Sequence, residues 1–217
     1  MCFSPEADLT TGVIVCAVGV DALRHVRRPQ QIVIAALPML FGLHQIDESF
    51  VWWGLRGQVA PSVMHIAVYV FLSFAFLLPF LVPLALFDVE PRTTRRMWMG
   101  ILLAAGAITS ALLLVPLFTG PVGASIDGSH IAYSADLSYS LLLGGSYIVV
   151  TCGALLLSSS RVLEVFGVVN LAVAVALAWV TFTGVTSLWC AFAAITSIVI
   201  AIYLRRSPPL HTAISPT

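Results

Sequence analysis

Lysine is absent from this chain: all ten basic residues are arginine. A retinal pigment of the rhodopsin kind holds its chromophore through a lysine Schiff base, so retinal is excluded on chemical grounds. Charge of either sign is scarce. Only 9% of the 217 residues are charged and 59% are apolar, whereas a soluble domain carries roughly 25% charged residues. The composition is that of an integral membrane protein, and the lipid bilayer is the first partner it implies. A formal net charge of zero gives no reason to expect nucleic acid. Cysteine is limited to Cys2, Cys16, Cys152 and Cys190, with no C-x-x-C or Cys/His metal spacing. Cys16 and Cys152 fall in mid-helix and read as small buried apolar residues. Cys2 and Cys190 both map near the outer surface, where a disulfide and two free thiols are both open. The opening MCFSPEAD lacks the basic n-region of a signal peptide, so the first apolar run is expected to stay in the mature protein.

Seven apolar runs are long enough to cross a hydrocarbon core of about 30 Å at about 1.5 Å per residue. They lie near residues 9–26, 31–55, 62–87, 95–118, 134–157, 162–183 and 187–204. The breaks are chemically sensible. Arg27, Arg28 and Pro29 end the first run, Arg56 to Gln58 the second, and Glu90, Pro91 and Arg92 the third. A loop rich in Gly and Ser, 119–134, separates the fourth from the fifth. The short link around Gly184 makes the sixth and seventh antiparallel neighbours. The fold class is therefore all-α, an integral membrane bundle of seven transmembrane helices in one domain, 1–206. The remainder, 207–217, contains three prolines and reads as a disordered cytoplasmic tail.

Nine of the ten arginines fall on one alternating side of these runs, and only Arg56 on the other. The positive-inside rule then places the N-terminus out and the C-terminus in. Trp52, Trp53, Trp179 and Trp189 map to outer helix ends and Trp98 to an inner one, as an aromatic belt does, with Trp52 set apart for the role given below. No internal repeat is evident. Pro38, Pro79, Pro83 and Pro116 interrupt helices two to four, while helices five to seven have no proline. The matched interruptions of an inverted-repeat transporter are thus missing. Each proline frees a carbonyl that needs another partner.

The most informative segment is 41–55, FGLHQIDESFVWWGL. It places His44, Gln45, Asp47 and Glu48 inside a span, where polar groups are costly and ordinarily face a protein interior. His44 and Glu48 are four residues apart and share a face that Trp52 continues. Gln45 lies about 100° round from His44, and Asp47 about 60° round on the other side. Counted from Leu55, Glu48 is about 10 Å and His44 about 16 Å below the outer helix end. Other spans bring His65 and Tyr69 (helix three) and Asp136 and Tyr139 (helix five) to the same half. The preceding loop adds Asp127, His130 and Tyr133. Three readings follow. His44, Glu48 and His65 are adequate ligands for zinc or another divalent metal. Alternatively Glu48, Gln45 and a tyrosine form a ligand-binding or proton-titrating pocket. The third is a hydrogen-bond network that only fixes packing.

The other embedded polar groups read as structural. Asp21 can pair with Arg24 or His25, and Glu164 with Arg161. Asn170 suits an interhelical bond or a pocket wall. Thr109 and Ser110 can bond back to their own helix.

The opening Met1-Cys2-Phe3-Ser4, the run Phe41-Gly42, Gln45, Glu48 and Trp52, and the Pro79/Pro83 helix ending before Glu90 resemble an uncharacterised bacterial family of small multi-pass membrane proteins. Its members open Met-Cys-Phe-Ser and carry Phe-Gly-x-x-Gln-x-x-Glu-Gly-x-x-Trp. The resemblance covers mainly the first hundred residues, with a fainter match around His130 to Tyr133. It marks Gln45, Glu48 and Trp52, and it implies no activity. Ser49 departs from the family's Gly, and Asp47 from a usually apolar position. Seven-helix metal hydrolases related to alkaline ceramidases share the topology but carry His-x-x-x-His in the last helix, which has no His here. A b-type haem needs two axial His at similar depth, and His44 and His65 differ by about 10 Å.

The sequence thus predicts a multi-pass protein of the plasma (inner) membrane with an outward-opening polar pocket on helix two. The pocket binds a small ligand, a proton or a metal, in the manner of a sensor or transporter. Glu48 is its charged anchor, His44 a ligand or proton carrier, Gln45 an orienting donor and Trp52 a wall at the mouth; Asp47, Asp136 and Tyr139 complete it. The alternatives are a metal-dependent intramembrane hydrolase acting on a lipid, through His44, Glu48 and His65, and a structural subunit of a membrane complex. Enzymatic status, oligomeric state and ligand identity are left open.

Overall fold

A computed structural model describes residues 4–137, 139–180, 188, 189, 192, 194 and 197–206. Helix α1 (Pro5–Arg24) leads through a 3-10 turn (Pro29–Gln31) to α2 (Ile32–Leu55), α3 (Pro61–Val89) and α4 (Thr93–Thr119). A hairpin of β1 (Val122–Asp127) and β2 (His130–Ala135) follows, then α5 (Ser140–Leu156), α6 (Arg161–Val180) and α7 (Ile198–Arg206). The described chain is mostly helical, and all-α apart from that one hairpin. The hairpin corrects the expected loop at 119–134 and the expected start of helix five at 134. Its strands pair antiparallel from Val122 opposite Ala135 to Asp127 opposite His130. Gly128 makes the turn at φ +59, a conformation that glycine adopts without a Cβ penalty. The seventh expected span is described only in part. The tail at 207–217 and Cys2 and Cys190 lie outside the described residues.

Helices α1 and α2 pack closely because the sequence supplies glycine along the seam. Pro5, Asp8, Gly12, Val15, Gly19 and Ala22, spaced three and four apart, are the buried stripe of α1. A Cβ on Gly12 would come within 2.8 Å of the Gly42 carbonyl, and one on Gly42 within 2.6 Å of the Cys16 amide nitrogen. Small residues let two backbones approach in this way. Ser4 starts α1, its hydroxyl accepting the Ala7 amide at 3.2 Å.

One proline of α3 finds the partner its freed carbonyl requires. Pro79 cannot donate to Ala75, and the Tyr147 hydroxyl of α5 donates to that carbonyl instead, at 3.0 Å. Pro83 frees the carbonyl of Pro79, against which Gly106 of α4 lies directly. Tyr147→Phe should therefore cost about 1–2 kcal/mol, read as a lower midpoint in thermal unfolding of the detergent-solubilised chain. An unchanged midpoint would remove this account of the proline kink.

At one end of the bundle the arginines make the closing contacts. Arg205 of α7 grips Asp21 of α1 through two nitrogens, each at 2.8 Å. Asp21 thus takes a partner far along the chain rather than Arg24, with His25 at 3.7 Å as a second neighbour. Arg95 donates to the carbonyls of Leu157 and Ser158, at 3.1 and 2.6 Å, where α5 ends. Glu90 is buried and accepts from Arg92 N, Ser159 N and Ser159 Oγ. Glu164 pairs with Arg161 at 3.0 Å. Thr109 bonds back to Ala105 and also meets Ser146, whereas the Ser110 hydroxyl finds no partner among the described residues.

Helices α3 and α4 are long and apolar enough to cross a membrane. In α1 the apolar pattern is broken by Glu6, Asp8, Asp21 and Arg24, and in α2 by residues 44–48. The outward face of α4 exposes Ile101, Ile108, Leu112, Val115 and Phe118. Trp98 and Trp179 are exposed. Trp52, set apart from the belt as a pocket wall, is buried; Trp189 is buried too, which corrects its belt assignment, and its indole donates to Asn170 at 2.6 Å.

Candidate functional site

The polar arc of α2 is turned into the protein. His44, Gln45, Glu48, Ser49 and Trp52 are all buried. Gln45 Nε2 donates to Glu48 Oε2 at 3.5 Å, and the Ser49 hydroxyl bonds back to the Gln45 carbonyl at 3.3 Å. The hairpin closes over this arc. Ile131 of β2 is fully buried in the same apolar cluster as Val51, Trp52 and Phe71. Tyr133, two residues on and so on the same strand face, donates its hydroxyl to Glu48 Oε1 at 3.4 Å.

An aromatic column supports the pair. Tyr133 stacks on Phe71 of α3 with centroids 4.1 Å apart, and Phe71 stacks on the His44 ring at 4.0 Å. Phe74 flanks the imidazole at 4.7 Å. The Arg56 guanidinium lies 5.2 Å from the Trp52 ring centre, a cation–π contact that screens the outer edge. His44, Gln45, Glu48 and Trp52, expected to line an outward-opening pocket, are therefore enclosed under the hairpin.

Several polar atoms inside this enclosure have no hydrogen-bond partner among the described residues. They are His44 Nδ1 and Nε2, Gln45 Oε1, Asp47 Oδ2 and Trp52 Nε1. Native proteins leave few such groups, and a concentration of them on adjacent turns of one helix calls for an occupant or ordered water.

The remaining sequence-derived candidates stand apart. His65 is exposed near the start of α3, which meets the cluster further along through Ala67, Val68, Phe71 and Leu72. Asp136 is exposed in the link after the hairpin, and Tyr139 is 81% exposed at the N-cap of α5. Both were expected on helix five, which begins only at Ser140. The trio His44, Glu48 and His65 is not brought together, and no group of three or more His, Cys, Asp or Glu suited to a metal occurs among the described residues. Shared depth does not imply a shared face.

One buried carboxylate had no signal in the sequence. Asp8 of α1 is completely buried. An acidic residue in a first turn ordinarily serves the helix dipole, so its type and position are uninformative. The close approach of Gly12 to Gly42 and Ile46 reveals its place: one turn outward along α1, Asp8 comes level with the Ser49 turn of α2.

The family of unknown function DUF6629 matches residues 1–215. The chain belongs to that family. No curated protein and no solved structure matches it. Membership spans the whole polar arc of α2, the hairpin and the arginine-rich helix ends, and it agrees with the resemblance to an uncharacterised family read from the first hundred residues.

Proposed function

We propose that this chain is a seven-span protein of the bacterial plasma membrane, N-terminus out and C-terminus in, whose second helix carries an occluded site for a small polar ligand or ion. It works as a sensor or transporter works, exchanging that occupant with the outside when the hairpin moves. The carrying observation is the set of buried, partnerless polar atoms on His44, Gln45, Asp47 and Trp52 beside Glu48. The membrane assignment is supported by two membrane-capable helices and by the apolar outer face of α4; in water such a patch would drive association. The gathering of the arginine-rich helix ends supports the orientation. Glu48 anchors the occupant, Gln45 orients it, His44 offers one donor and one acceptor as a neutral ring, and Trp52 offers a donor.

The test is the thermal midpoint of the full chain in lipid nanodiscs, scanned over pH and with sodium, calcium, zinc and small amines. An occupant at about 100 times its Kd should raise the midpoint by roughly 5–10 °C, and the rise should vanish in Glu48→Gln. If no condition gives a Glu48-dependent shift, the site is only packing and the structural-subunit reading takes its place. Stoichiometric zinc lost in Glu48→Gln would instead favour the lipid hydrolase.

A further inference from the structure

We propose that two cavities inward of the helix-two site form the second half of a route through the bundle, with Phe41 as the plug between site and route. The occupant then leaves toward the arginine-rich helix ends, and the protein is a transporter. This rests on the site reading above and gives it a direction.

Position is the first argument. Both cavities are lined by Phe41, Val82, Thr151 and Asn170, so they adjoin. Phe41 comes three residues before His44 on α2, one turn inward on the same face. Its ring meets Phe74 edge-on at 5.5 Å, and Phe74 flanks the His44 ring at 4.7 Å. These two phenylalanines stand between the enclosed imidazole and the cavities. One cavity continues from Phe41 to Leu37 and Ile34, a distance of about 10 Å along the helix. Ile34 and Leu163, which line it, belong to the first turns of α2 and α6, and Leu86 and Leu155 to the last turns of α3 and α5. The free space therefore runs from the turn below the site to the end of the bundle where Arg95 and Arg205 make their contacts.

Chemistry is the second. Asn170 of α6 gives its Oδ1 to the Trp189 indole at 2.6 Å, which leaves the amide N–H donors for the space the two cavities share. Thr151 of α5 donates to the Tyr147 carbonyl at 2.7 Å and keeps oxygen lone pairs with which to accept. Both side chains are buried. The cavities measure about 40 and 30 Å³, and roughly 10–15 Å³ with polar partners is enough for a water. The junction at Asn170 and Thr151 meets both conditions. The stretch past Leu37 and Ile34 is apolar, and a constriction of that kind blocks when dry and conducts when wetted. Among the described residues no charged side chain lines either cavity, so nothing beyond Phe41 holds the cargo back. A path must bind weakly enough for its cargo to leave.

The experiment is thiol accessibility of the full chain in sealed vesicles of each orientation. Thr151→Cys is challenged with a charged, membrane-impermeant methanethiosulfonate, and the wild type, with its four cysteines, gives the background. Thr151→Cys should label above background from the arginine-rich face and lose that labelling when the reagent is on the opposite face. Adding Phe41→Ala should open it to the opposite face as well, because the missing ring joins cavities and site. Phe41→Leu serves if the alanine variant does not fold. A Thr151→Cys protein inert from both faces, or labelled from the opposite face with Phe41 intact, overturns the route, and so does labelling indifferent to the Phe41 change. If the route fails while the thermal midpoint still shows a Glu48-dependent shift, the site stands without it. Labelling as expected with no Glu48-dependent shift leaves a recess with no site behind it, and both readings fall.

Discussion

Gly106→Ala should destabilise the protein more than any other single-methyl addition among its described glycines. The new Cβ would overlap the Pro79 carbonyl, backbone that cannot swing away as a side-chain tip can. That carbonyl is exposed to the neighbouring helix because Pro83 offers it no N–H. Relief requires α3 and α4 to separate at the centre of their contact, at a cost of about 3 kcal/mol or more. Glycine elsewhere supplies the controls. A Cβ at Gly100 meets only a Phe87 ring carbon at 3.6 Å, and at Gly144 nothing lies within 4 Å. Alanine at those two positions should be neutral or slightly stabilising, since it improves helix propensity. Unfolding midpoints of the three variants, measured in one detergent, give the comparison; equal midpoints for Gly106→Ala and Gly144→Ala would mean that α3 and α4 are not in this contact.

Glu90→Ala should be nearly as damaging. The carboxylate sits where α3 ends and receives the backbone of Ser159, at 2.9 Å, and of Arg92, at 3.1 Å, together with the Ser159 hydroxyl. It thereby fixes the link between α5 and α6, which Arg95 holds from the other side. Removing it takes the acceptor from three donors in a part-buried corner, worth about 2–4 kcal/mol in total. Glu90→Gln should recover part of this loss, because the amide oxygen still accepts one donor. Limited proteolysis at 157–160 reads the effect locally. Cleavage there should be faster in Glu90→Ala and intermediate in Glu90→Gln; resistance equal to wild type would leave Glu90 without the anchoring role.

The helices and the sidedness of the arginines were legible because both follow from composition along the chain. The inward face of α2 was legible because a polar arc inside an otherwise apolar helix ordinarily faces a protein interior. The hairpin was harder. The Asp127-Gly128 turn signal was present, but the strands β1 and β2 are short and mixed in polarity, and Gly and Ser between apolar runs read equally well as a loop. His65, Asp136 and Tyr139 were grouped with the site by height alone, and height says nothing of direction around a helix. Asp8 and the Asp21–Arg205 pair were invisible for the opposite reason: each depends on which helices become neighbours, and a single chain carries no record of that.

The Asp21–Arg205 clasp also bears on biosynthesis. Chain leaves the ribosome from its N-terminal end, so α1 is finished long before its clasp partner exists. Until then Asp21 has water and the neighbouring His25 for partners. The first helix is locked only when α7 arrives, and this closure is a late event in the life of each molecule.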